Sequence, residues 1–89
     1  MRAVITVVGK DKVGILARVS SICAKNQVNV TEVTQSILHD LFAMVMVVDI
    51  SQCTIPFSAL SDELTAAGNE MCLKIHVMHE DIFNSMHHV

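Results

Sequence analysis

An 89-residue chain with 52% apolar residues and a formal charge of −3 has room for one domain, and a chain of this size buries only about 60–65% of its unfolded surface. The acidic balance excludes a strongly basic nucleic-acid footprint. With no Trp or Tyr and only three Phe, base-stacking platforms are poorly supplied as well.

Met1 leads directly into a strand pattern without a signal-peptide layout, and no apolar run is long enough to span a bilayer. The expected location is therefore cytoplasmic, with no membrane partner. Ala3–Val8 is a continuous, β-branched run that predicts a strand covered on both faces. Ile15, Leu16, Val19, Ile22 and Cys23 then recur at helical spacing. Asp11 is placed to cap that helix, Gly14 falls in its first turn, and Asn26 is positioned as its left-handed stop.

Val28–Leu38 is rich in β-formers but polar. Val28 and Val30 share one face while Val33 and Ile37 fall on the other, a slip that predicts an edge strand with a bulge. His39 and Asp40 supply a short turn. Leu41–Ile50, apolar almost throughout, predicts another central strand. Pro56 suits the first turn of a second helix, lined by Phe57, Leu60, Leu64 and Ala67 and ended by Gly68. Met71–Met78 alternates as a half-exposed strand. Glu80–Met86 predicts one or two terminal helical turns packed by Ile82, Phe83 and Met86.

The order β-α-β-β-α-β plus a tail predicts one α+β domain over residues 1–89, a ferredoxin-like sandwich. Its four-stranded antiparallel sheet carries two helices on one face and a short C-terminal helix. The topology places the first and third strands in the middle, and these are the two most apolar. More apolar surface is available than one small core hides, which predicts a buried interface, most simply a homodimer.

Gly9 to Gly14 brackets a charged turn between strand and helix. Such a turn aims unpaired backbone N–H groups at whatever approaches the helix end. The spacing fits an effector turn and equally a tight turn before a capped helix. It is half of a P-loop, but Ile15 and Leu16 stand where the nucleotide-binding form needs Lys and Ser or Thr. Asn29 reads either as a strand-entry residue or as an amide for the polar end of a ligand. Cys23, Cys53 and Cys72 are odd in number, widely spaced and expected to be reduced thiols. His76, His79, His87 and His88 read as ordinary surface histidines. No nucleophile–base pair can be assembled, so no catalytic residue, metal ligand or cofactor is expected.

Asp11-Lys12-Val13-Gly14-Ile15-Leu16-Ala17-Arg18-Val19 resembles the first loop and helix of the ACT domain, commonly Asp-Arg-Pro-Gly-Leu-Leu-Ala-x-Val. Asn29-Val30 matches the opening of that family's second strand. The resemblance covers essentially the whole chain and is closest to small stand-alone bacterial ACT-domain proteins of unassigned function. It implies a non-enzymatic regulatory module that senses an amino acid or a similar small molecule at a homodimer interface. The binding residues it implies are Asp11, Lys12, Val13, Gly14 and Ile15 in one subunit, facing Asn29, Val30 and Thr31 of the other. Val13 replaces the proline of many members and leaves the loop less rigid. A second reading of the same chain is a ligand-free dimerisation and protein-docking module, with the protein partner unknown.

Overall fold

The computed structural model describes residues 1–10 and 14–86, apart from the side chain of Leu38. Seven elements follow one another: β1 (Arg2–Lys10), α1 (Ile15–Lys25), β2 (Asn29–Leu38), β3 (Leu41–Asp49), α2 (Phe57–Glu70), β4 (Lys74–His79) and α3 (Glu80–Met86). The strands form one antiparallel sheet in the order β2-β3-β1-β4. This is the expected ferredoxin-like sandwich, with the two most apolar strands in the middle.

Register divides the side chains between two faces. Ala3, Ile5, Val7, Phe42, Met44, Met46, Val48 and Ile75 are buried against Ile15, Val19, Ile22 and Cys23 of α1 and Leu60, Leu64 and Ala67 of α2. Burial, reinforced by the nearby Cys53, pushes the Cys23 thiol up to about 11, so it behaves as a small hydrophobe. All three cysteines are free thiols.

The expected bulge lies between Val30 and Glu32. The extra residue is Thr31, whose hydroxyl donates to the Val47 carbonyl at 2.9 Å. It resets the phase of β2. Val30 pairs with Val48, Val33 with Met46 and Ile37 with Phe42, so the two apolar sets share the helix-bearing face after all.

Both long helices end differently from expectation. Asn26 keeps φ at −101°, and Gln27 takes the left-handed conformation at φ 60°. Val28 N–H reaches the Cys23 carbonyl and Gln27 N–H the Ala24 carbonyl, which satisfies the last carbonyls of α1. Asn26 is instead buried for its amide, which donates to the Ile22 carbonyl and to Glu63 Oε1, both at 3.0 Å. Gly68 does not end α2, which runs on to Glu70. Cys72 makes the left-handed turn, with Leu73 N–H bonded to the Gly68 carbonyl. Gly68 is there for close packing, since a Cβ would stand 2.8 Å from Ile75 Cγ1 and 3.1 Å from the Leu73 carbonyl oxygen.

Pro56 precedes α2 as its N-cap rather than entering its first turn. The terminal helix has its expected bounds, but Ile82 and Met86 are largely exposed, and Phe83 is its half-buried apolar residue. No helix among the described residues is long and apolar enough to cross a membrane.

Candidate functional site

Gly14 is the N-cap of α1, with φ 88° and ψ 4°, and it precedes the first turn instead of lying in it. L-residues rarely tolerate that conformation. Its carbonyl accepts the first helical bond, from Arg18 N–H at 2.9 Å. No side chain among the described residues caps this helix start, where the first backbone N–H groups of a helix lack intrahelical acceptors. Asp11, Lys12 and Val13 lie outside the described residues. The N-cap position itself is held by Gly14, and the capping expected of Asp11 lies outside the described residues.

Ile15 points into the core and can face a ligand only through its backbone. Val30 packs on the core from the edge strand. Thr31 is exposed, with its hydroxyl occupied inside the bulge. Asn29 is exposed and pairs through its backbone with Asp49. The Ser51 hydroxyl and then the Ser51 N–H hold the Asp49 carboxyl below its ordinary range. Ser51 Oγ also accepts from the Met1 ammonium at 3.0 Å.

One chain does not bring the two groups of residues together. Arg2, Asp49 and Asn29 form the rung at one end of the sheet, and Lys10, Leu41 and Leu38 form the rung at the other. Gly14 belongs to the second end. Helix α1, 11 residues long, separates it from Asn29 by about 16 Å along its axis.

The chain leaves an apolar strip between those ends. Leu16 on α1 is 39% exposed, Val33 39% and Ile37 59%. Val33 and Ile37 project from the helix-bearing face of β2, and β2 has a free outer edge among the described residues. Helical spacing alone predicts a core position for Leu16. Among the described residues, no histidine hydrogen-bonds to a carboxylate. His79 stacks on Phe57 instead, with ring centroids 4.2 Å apart.

The pattern of the ACT domain family matches residues 2–78. A UPF0237 protein of Listeria innocua is 49% identical over 87 residues, which covers 98% of this chain and 98% of that protein. The structure of an ACT domain protein from Streptococcus pneumoniae superposes with a TM-score of 0.81 at 40% identity, covering 93% of each chain. The regulatory subunit of Thermus thermophilus aspartate kinase shares the fold, with a TM-score of 0.64 and 19% identity over 85% of this chain and 49% of its own.

Proposed function

The chain belongs to the ACT domain family, and from that premise we propose that it is a cytoplasmic, non-enzymatic regulatory protein that binds an amino acid or similar metabolite between two copies of itself. ACT domains are regulatory modules that commonly dimerise and bind such small molecules.

The observation that carries this reading is the separation of Gly14 from Asn29 by the length of α1. A single protomer cannot close a small pocket from both. A two-fold axis beside β2 reverses the second copy, so that the Gly14 end of each protomer meets the Asn29 end of the other. Leu16, Val33 and Ile37 give that interface its apolar contacts, and the free edge of β2 gives it backbone donors and acceptors.

The chemistry suits an amino acid. A ligand carboxylate accepts hydrogen bonds from the N–H groups at the start of α1, and the partner subunit's Asn29 takes a polar group at the other end. Asp11 is assigned to a ligand ammonium. Val30 and Thr31 set the backbone at the far wall.

A thermal-shift screen of the twenty amino acids tests the reading, since a ligand selective for the folded dimer raises its melting temperature. With the ligand in hand, Asp11→Ala and Asn29→Ala each weaken it. Mixing the two variants restores sites of wild-type affinity, because each heterodimer carries one intact and one doubly altered site. If no wild-type sites return after confirmed subunit exchange, the pocket does not span two subunits. A dimer that no amino acid stabilises favours the ligand-free docking module.

A further inference from the structure

The face of the sheet away from α1 and α2 is only half covered. Short helix α3 lies over β1 and β4, where it helps to bury Val4. Farther along, Val8, Ala43, Val45, Met78, Phe83 and Met86 surround a cavity of about 370 Å³, within the usual size range of small-molecule pockets. Its polar side chains are Thr6 and His76, which are direct partners across β1 and β4.

Carboxylates and the cations Lys10 and Lys74 lie toward opposite ends of this face: Glu32 sits beside Val47, and α3 opens with Glu80 and Asp81 near Arg2. Arg2, Arg18 and Lys25 are paired with Glu80, Glu70 and Glu63. Lys10 and Lys74 have no carboxylate partner among the described residues, and both belong to the open face beside Val8. Lys74 pairs with Val8 in the sheet, and Lys10 follows Val8 by one full pleat. On a chain of net charge −3, the two cations without a partner among the described residues flank the apolar cavity on this face.

We propose that this cavity binds a small amphipathic monocarboxylate, an aliphatic or aromatic acid. Its apolar body lies between Val45 and the Phe83–Met86 side of α3, and its carboxylate faces Lys74 and His76. The site is separate from the one at Gly14 and Asn29. The volume suits a small molecule, and a pair of cations at one end of an apolar cavity complements an anionic head with an apolar tail.

Sodium octanoate is the probe, with 1-octanol and octylammonium as controls, followed by methyl NMR of the intact protein. The expected result is saturable shifts at Val8, Ala43, Val45, Met78 and Met86, while the amides of Gly14 and Asn29 stay in place. Lys74→Gln weakens octanoate about tenfold and Lys74→Arg restores it, the loss expected for one charge-assisted contact. Both changes are at an exposed position and leave the melting temperature unchanged. Ala43→Leu, with its fold checked by circular dichroism, fills the cavity and removes the shifts. Octanol binding as tightly as octanoate overturns the proposal, as does the absence of saturable shifts. So does a dilution series in which the same methyl signals change with protein concentration, because a second copy then covers this face.

Discussion

Asn26 and Glu63 tie α1 to α2. The buried Asn26 amide donates to Glu63 Oε1 at 3.0 Å, and Lys25 donates to the other oxygen of the same carboxylate. The Asn26 backbone carbonyl accepts from Thr54 N–H at 3.0 Å, which fixes the chain that leads into α2. One residue thus closes one helix, holds the next and anchors the connector between them.

Asn26→Ala removes the amide and leaves part of Glu63 unsatisfied in a half-buried setting. The expected loss is about 1–2 kcal/mol of folding stability, measured by urea unfolding. Combined with Glu63→Gln, the two changes cost less than their sum, because they break the same bond.

The Glu63 carboxyl is held below its ordinary value near 4.5, first by the Lys25 hydrogen bond and next by that of Asn26. A carboxyl depressed in the folded state contributes stability that is present above the unfolded value and lost as pH falls through the folded one. The stability difference between wild type and Glu63→Gln is therefore expected to be constant above about pH 5.5 and to shrink as pH falls from about 4.5. Paired urea titrations from neutral to acid pH give the curve. A difference that grows on acidification would contradict the assignment.

A Cβ added at Gly14 would meet nothing within 4 Å, but φ there is 88°. Substitution is therefore a backbone matter rather than a steric one. Gly14→Ala is expected to cost about 1–2 kcal/mol, Gly14→Asn less and Gly14→Val more, since branching makes the left-handed region worse. Thermal unfolding of the three variants should follow that order. Ligand assays at this position need the asparagine variant, because valine lowers stability and binding together.

Ile37→Glu leaves the protomer folded, because the side chain is exposed in the isolated chain. In a dimer formed beside β2 it brings a carboxylate of each protomer into the interface, and a cost of about 1.4 kcal/mol per protomer raises the dissociation constant by about 100-fold. Sedimentation velocity across a dilution series measures this. Undiminished association would move the interface away from this strip.

Much of the fold was legible because it depends on patterns longer than one residue. The apolar runs of Ala3–Val8 and Leu41–Ile50 marked the central strands, and the phase slip after Val30 marked the bulge. Helix ends were less legible. Asn26 and Gly68 are the residue types that usually stop helices, yet one was needed for its amide and the other for its missing Cβ. The left-handed turns fell to Gln27 and Cys72, where backbone geometry overrode local preference. The candidate site was half legible. Its loop and strand entry could be named from residue types, but their placement at opposite ends of α1 depends on the sheet order. The exposure of Leu16 is set by tertiary packing, which helical spacing does not encode.

The first of these four strands to be made, β1, is an inner strand, and one of its two edges waits for β4, the last of the four. Until then the β1 edge that later pairs with Ile75 and Val77 has no partner from its own sheet. Pairing of such distant segments is slow, because loop closure precedes the contacts that reward it. During synthesis the vulnerable surface is thus the middle of the future sheet, and a strand from a neighbouring nascent chain can compete for it.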